Sequence, residues 1–533
     1  MRTSPGPAST LALLLAALLT PLLAQQEGPR TRPETSGHGA TSTLADVQHF
    51  LDACVKLPHG DRLAVAVAGK SHEGRPLLLV KAALGDEPAT PRLRALIIGN
   101  IHAGEVEGKE ALQLLLREIA NGEHEDLLGA FDLWLLPIYN VDGNEQMKDG
   151  NRRGQNGPSI VGQRPNGQGL DLNRDFIKAE APETRALLAL FDSIDPHLFM
   201  DLHTTNGSYH GYHLTYSPCL SPNMDRDLAR LSRAALDEVT AAMKREHGFE
   251  VFDYGNFETR DWDGGRAPES PDNVRGWYTY DSRPRYGTNY FGLRNRISIL
   301  SEAYSYCDFE TRIAVTRAFV LTTLQTLRRR QQEVREACSG ADARPLATDA
   351  RLWFGHDATF AEPEQLDVLV GEVDRLEMPD SGDVRLQRKG DGTPERMQVL
   401  RSFRARQHRA LPAAWAVQQP SPDALALLQR HGIEFEAIDA PRRVQAERFV
   451  VTKKRKPKRP FQGHQELVLE GEWQPAAAIE LPLGTLLVSS QQRLAMLAAQ
   501  LLEPLSDDGM SNWNFFEHQT DDTYPVLRLA APR

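Results

Sequence analysis

A chain of 533 residues is too long for one hydrophobic core and is expected to divide into two or three domains. Its formal net charge of −11 is spread thinly, which excludes an electrostatic nucleic-acid binder. No apolar run reaches the length of a membrane span, and the spacing of Cys54, Cys219, Cys307 and Cys338 excludes a zinc knuckle.

The N-terminus carries Arg2, then the apolar stretch Leu11–Leu23 interrupted by Pro21, then Leu22-Leu23-Ala24 as a cleavage end. This is the form of a secretory signal over residues 1–24. It implies a secreted or periplasmic mature chain with no stable membrane insertion. Residues 25–44 are polar and bear Gly, Thr and Pro, as a linker does. From 45 to 338, apolar strand-like runs alternate with helix-like segments. That pattern predicts an α/β domain, a mixed, mostly parallel sheet with helices on both faces.

A buried-type strand, Leu93 to Ile101, runs into Gly99-Asn100-Ile101-His102-Ala103-Gly104-Glu105, and a helix over Glu107 to Ala120 runs out of it. An imidazole and a carboxylate three positions apart on such a turn can grip one side of a metal ion. A second imidazole would complete the His₂Glu set of a catalytic zinc site with one open position. His203 supplies it at the end of the short strand Pro196 to His203, where open α/β sheets place ligands. His197, His210 and His213 are nearby alternatives on less rigid or less suitable positions.

Between these, the strand Leu133 to Tyr139 is followed by Asn140-Val141-Asp142-Gly143. The Gly-, Asn- and Arg-rich loop Lys148 to Gly169 then leads into Gly169-Leu170-Asp171-Leu172-Asn173-Arg174-Asp175-Phe176. Arg174 offers a planar fork that suits a carboxylate. Arg164, with Arg153 as the alternative, could polarise a scissile carbonyl and hold its oxyanion. A third apolar run, Arg296 to Tyr304, is broken by Glu302. Either that carboxylate pairs with a local arginine such as Arg294 or Arg296, or it serves as general base for a water activated by the metal.

Further helices are expected near Glu183 to Phe191, Asp225 to His247 with Gly248 as the stop, and Phe309 to Ala337. The long stretch Glu250 to Tyr290 is expected to wall the substrate pocket. Cys219 and Cys307 lie in loops that could meet, and free buried thiols are the other reading. From 339 to 533, short apolar runs separated by Pro, Gly and charge predict a smaller mixed or β-rich accessory domain with a helix over Ser421 to His431. The run Lys453-Lys454-Arg455-Lys456-Pro457-Lys458-Arg459 reads as a solvated basic turn between strands, with an anionic-surface contact as the minor alternative.

Taken in this order, these residues resemble the zinc metallocarboxypeptidases, similar to carboxypeptidase A, in an exported bacterial form with a C-terminal extension. The resemblance covers roughly residues 45 to 335. It includes Gly69-Lys70-Ser71 with Glu73-Gly74-Arg75-Pro76 as an early hairpin and Asn140-Val141-Asp142-Gly143 as a characteristic turn. It implies one Zn²⁺ per chain on His102, Glu105 and His203, Glu302 as base, Arg164 as polarising group, and Asn173-Arg174 as the clamp for a substrate carboxylate. It also implies a capping tyrosine, Tyr290 or Tyr286. Leu483-Gly484-Thr485 and Ser511 to Phe516 resemble C-terminal extensions of bacterial members.

The resemblance implies an enzyme that removes C-terminal residues from peptides. A zinc amidohydrolase acting on peptidoglycan stem peptides or N-acyl amino acids is the alternative. A non-catalytic binding module is disfavoured by the complete ligand set.

Overall fold

The computed structural model describes residues 28–85, 90–259, 274–347, 349, 351–377, 384–516 and 523–530. Residues 1–24, expected as a signal segment, lie outside them. An eight-stranded sheet forms the frame, in the spatial order Leu63–Lys70, Pro76–Ala82, Phe131–Leu136, Leu93–Gly99, Leu198–Thr205, Ile297–Tyr304, Leu214–Pro218, Val251–Asp253. Its centre is parallel: Leu93–Gly99 pairs in parallel with both Phe131–Leu136 and Leu198–Thr205, which pairs in parallel with Ile297–Tyr304. The early hairpin and the strand Leu214–Pro218 join it antiparallel.

Alternation along the central strands builds two cores. Ala95 and Ile97 face one side, with Leu112, Leu236 and Phe319 of the helices Glu107–Ala120, Arg226–His247 and Phe309–Arg329. Leu96 and Ile98 face the other, with Leu187 and Phe291 of the helices Pro182–Ile194 and Gly287–Leu293. Period-two burial on both faces is what a doubly covered sheet requires.

The helix ends follow their caps. Asp225 accepts from Asp227 N, and Gly248 closes the helix Arg226–His247 in the left-handed region at φ 72°. The segment expected as one helix from Phe309 to Ala337 is two, Phe309–Arg329 and Gln331–Ala343, because Arg330 leaves helical geometry at φ −106°, ψ 21°. The second helix runs across the expected boundary at 338.

Residues 28–44 are docked rather than a free linker. The helix Glu107–Ala120 buries Lys109, Glu110 and Arg117, and each of these charges needs a partner. Glu110 accepts from Thr41 Oγ1, Ser42 N and Ser42 Oγ at 2.7–2.8 Å. Lys109 donates to Ser42 O at 2.7 Å, and Arg117 donates to Glu34 at 2.8 Å.

The tail is β-rich, as expected, but it is not one separate unit. The long hairpin Glu364–Glu377 with Val384–Leu400 joins a sheet with Asn256–Phe257 and Gly276–Tyr278 of the first domain. A six-stranded sheet follows, made of Ala414–Val417, Glu436–Ala437, Arg442–Arg455, Val468–Leu481, Leu486–Ser489 and Thr523–Leu529. Trp415 of this sheet, with Leu427, Leu497 and Trp513 of the tail, shares one apolar cluster with Phe176, Tyr290 and Phe291. The run Lys453 to Arg459 leads into the turn between Arg442–Arg455 and Val468–Leu481, and Lys453 and Arg455 pair with Glu470. Cys54, Cys219, Cys307 and Cys338 are all free and buried, so Cys219 and Cys307 form no disulfide, and burial pushes each thiol up to about 12.

Candidate active site

The central strands deliver their side chains to one end of the sheet. Leu93–Gly99 stops because Asn100 turns into the left-handed region at φ 63°, which asparagine tolerates. Asn100 Nδ2 then donates to Glu105 O at 3.0 Å and to Ala103 O at 3.3 Å, fixing the turn that presents His102 and Glu105. Gly108 lets the following helix lie close against the sheet, since a Cβ there would sit 2.8 Å from Leu202 Cβ. The Asn140 turn ties two loops together: its amide donates to Ile101 O and to Arg164 O at 3.2 and 3.0 Å.

His102 Nδ1 lies 3.1 Å from Glu105 Oε1, and His203 Nδ1 lies 3.0 Å from Glu105 Oε2. Candidate ligand atoms of the three residues fall within 4.8 Å of one another, and all three are buried. Behind each imidazole stands a carboxylate, Asp171 at 3.1 Å from His102 Nε2 and Asp201 at 2.8 Å from His203 Nε2. Such partners fix the ring orientation and the tautomer that leaves Nδ1 free for a metal. Two neutral-capable imidazoles and an excess of carboxylate fit a divalent cation. Burial opposes charge on Glu105, but Arg152 and His102 hold it well below the usual carboxylate range. Burial also opposes charge on His203, yet Asp201 and Glu105 hold it well above the ordinary imidazole value.

Glu302 lies opposite His203 in the parallel pairing of Ile297–Tyr304 with Leu198–Thr205. Paired residues of adjacent strands share a face, so its carboxylate opens onto the same cavity. Burial pushes it up to about 8; His203 pulls it down and Glu105 adds to the rise. The reading of Glu302 as the partner of Arg294 or Arg296 is corrected, because Arg294 binds Asp192 and Arg296 binds Asp195 and Asp342.

The cavity has a volume of about 330 Å³. His102, Glu105, His203, Glu302, Arg164, Asn173 and Arg174 all line it. Arg174 stacks over the Tyr286 ring at 4.2 Å and donates to Asn173 O at 2.7 Å. Asn173 Oδ1 accepts from Gly287 N at 2.9 Å. Arg164 donates to Asp171 at 2.9 Å and reaches within 3.8 Å of Glu105. Asp175, next to Arg174, is paired with Lys178 at 2.7 Å.

Arg153 is exposed and outside the cavity lining. Tyr290 is corrected: it is fully buried away from the cavity, with its hydroxyl 2.7 Å from His431 Nδ1 and its ring on Phe176. Tyr286 lines the cavity instead, together with Tyr254, Tyr278 and Tyr280. His197 accepts from Arg94 N, and His210 accepts from Tyr212 N and stacks on Tyr304, so neither joins the site.

Three residues escape a sequence reading. Arg152 donates to Glu105 Oε1 at 2.7 Å, but three arginines, Arg152, Arg153 and Arg164, crowd its loop and the sequence cannot rank them. Asp171 and Asp201 each stand two positions before a site residue. The one available signal was a charge inside the otherwise apolar strand Leu198–Thr205.

Two imidazoles and a carboxylate facing one open side, with a second carboxylate and arginines around the same cavity, have the arrangement of a metal-dependent hydrolase centre. The zinc carboxypeptidase family model matches residues 49–287, a little under half of the chain. Zinc is accordingly the metal for which the His102, Glu105 and His203 donor set is the candidate site. The chain is similar to carboxypeptidase D of Rattus norvegicus, 34% identical over 152 residues, which cover 22% of this chain and 11% of that protein. The match therefore spans about a tenth of that relative. It is also similar to carboxypeptidase 2 of Trichophyton equinum, 24% identical over 479 residues, covering 86% of this chain and 81% of the relative. Among solved structures, a metallo-carboxypeptidase from Burkholderia cenocepacia aligns with a TM-score of 0.41 and 18% identity over 54% of this chain and 70% of that chain. Glu302 lies beyond the family match, so its role rests on strand register and on the cavity.

Proposed function

We propose that the protein is an exported zinc carboxypeptidase that hydrolyses the C-terminal peptide bond of peptides, with Glu302 as general base. The observation that carries this reading is the convergence of His102, Glu105, His203, Glu302 and Arg174 on one cavity. Zinc, when held by the first three, supplies Lewis acidity to the attacking water and the scissile carbonyl. Arg174, braced on Tyr286, binds the substrate's terminal carboxylate beside Asn173. Arg164 faces the carbonyl oxygen and stabilises the negative charge that develops there. Glu302 takes a proton from the water and returns it to the leaving amine nitrogen. Export is supported by Arg2 and the Leu11–Leu23 stretch, and among the described residues no helix is long and apolar enough to cross a membrane.

The test is release of C-terminal amino acids from a peptide panel, with and without a chelator. Activity that survives full zinc removal, or cleavage of peptidoglycan fragments with none of peptides, would overturn the proposal. Metal analysis should find one zinc per chain, and His203→Ala should retain little of it. Full retention would place the metal elsewhere.

The clamp makes a separate prediction. A charged hydrogen bond to the terminal carboxylate is worth about 1.5–3 kcal/mol. Arg174→Ala should therefore lower kcat/KM on free-acid peptides by roughly 10- to 100-fold. Any residual cleavage of the corresponding C-terminal amides should hardly change. Equal loss on both substrates would make Arg174 a structural partner of Asp171, which lies 4.0 Å away.

A further inference from the structure

The turn Phe461-Gln462-Gly463-His464 belongs to the accessory region, yet it reaches the loop that builds the active site. It is closed by reciprocal backbone bonds, Phe461 N to His464 O at 2.8 Å and His464 N to Phe461 O at 3.0 Å. Both central residues have positive φ, 49° at Gln462 and 82° at Gly463. Two-residue turns of this kind favour Asn, Asp or Gly, because a longer L side chain costs energy in the left-handed region. A glutamine held there against its backbone preference calls for a compensating contact.

That contact is to Asp171. Gln462 Oε1 accepts from Asp171 N at 2.9 Å. Asp171 is the residue on which several parts of the candidate site depend. Its carboxylate backs His102 Nε2 at 3.1 Å, receives Arg164 Nε at 2.9 Å, and caps the short turn Leu172–Arg174 by accepting from Asn173 N at 3.0 Å. Fixing the Asp171 backbone therefore fixes a metal ligand, the carbonyl-facing arginine and the carboxylate clamp together.

The turn is itself latched to the first domain just after Gln462. His464 Nε2 lies 2.7 Å from Glu180 Oε1, and Arg285 donates to Glu466 at 2.6 Å. The Arg285 guanidinium is sandwiched between Phe461 at 5.1 Å and Trp513 at 4.8 Å. These anchors hold the glutamine within reach of Asp171.

We infer that Gln462 is a positioning residue of the active site, through which the C-terminal region sets the placement of His102, Arg164 and the Asn173-Arg174 clamp by way of Asp171. This rests on the carboxypeptidase reading above. Gln462 touches neither metal nor substrate; it acts on the segment that does.

The test compares the full-length zinc-loaded wild type with Gln462→Gly and Gln462→Glu. Glycine removes the acceptor and relaxes the left-handed turn, so the melting temperature should stay at or above the wild-type value. Loss of one hydrogen bond that orients three groups should lower kcat/KM on a free-acid peptide by roughly 5- to 10-fold, mostly through KM, and speed zinc loss to a chelator by a similar factor. Gln462→Glu, whose carboxylate still accepts the Asp171 N–H, should recover most of both losses. A glycine variant with wild-type kinetics and zinc retention overturns the inference. So does one that loses melting temperature and kcat together at unchanged KM, since that marks a merely structural turn. A wild type that releases no C-terminal residue from any peptide defeats the carboxypeptidase reading instead. The zinc-retention comparison still decides the role of Gln462 in that case.

Discussion

Glu302→Gln should bind zinc, fold as the wild type does and lose nearly all turnover. Glutamine matches glutamate in volume and hydrogen-bonding shape, so the packing of the strand Ile297–Tyr304 has no reason to change. Glu302 is not in the donor set formed by His102, Glu105 and His203, so the metal has no reason to leave. What the amide cannot do is accept a proton at neutral pH. A positioned acid–base group contributes about 10²–10⁴-fold to rate, and the loss should reach at least that range in kcat. Metal content and melting temperature, measured beside turnover, separate this outcome from misfolding. A Glu302→Gln enzyme that is zinc-loaded and active would remove Glu302 from the mechanism.

The local part of the site was legible in the sequence. His102 and Glu105 follow a strand and precede a helix within one continuous segment, and the structure gives the helix Glu107–Ala120 as read. His203 and Glu302 each end an apolar run, and strand ends converge in a parallel sheet. The pairing that sets these two side by side is long-range, and only the fold supplies it. Partners brought in by topology were not legible for the same reason. Asp201 is, in sequence, a single acidic residue within an apolar strand, and Gln462 lies 291 residues from the amide it accepts from. Tyr286 and Tyr290 illustrate a subtler limit. Four positions apart they share a helix face, but Tyr286 is the extended N-cap of Gly287–Leu293 and stays at the cavity, while Tyr290 lies inside the helix and turns into the core. The polar composition of residues 25–44 reads as a linker because the buried charges that this segment satisfies, Lys109, Glu110 and Arg117, belong to a distant helix.

Removing the C-terminal region should cost the protein its fold or its solubility, even though the candidate catalytic set lies entirely before residue 340. The face of the sheet built by Leu96 and Ile98 is covered only in part by Pro182–Ile194 and Gly287–Leu293. Trp415, Leu427, Leu497 and Trp513 complete that cluster. Burying one large apolar side chain is worth about 1.5–3 kcal/mol. Uncovering the equivalent of two or three therefore spends much of a typical stability of about 5–15 kcal/mol, and the exposed aromatic surface favours association. The same truncation deletes the strand Val384–Leu400, which pairs with Gly276–Tyr278 in the cavity wall. A chain ending at Gly340 is expected to be insoluble or to melt far below the intact protein. A milder variant checks the same interface. Arg285 is buried and bound by Asp508, with its Nε 2.8 Å from Oδ1. Asp508→Ala leaves that guanidinium buried with Glu466 as its remaining carboxylate, and should destabilise by about 3 kcal/mol, the scale for breaking a buried pair. If the truncated chain is soluble and cleaves the same peptides at the same rate, and Asp508→Ala melts like the wild type, the C-terminal region is an independent module and its packing against the first domain contributes nothing to stability.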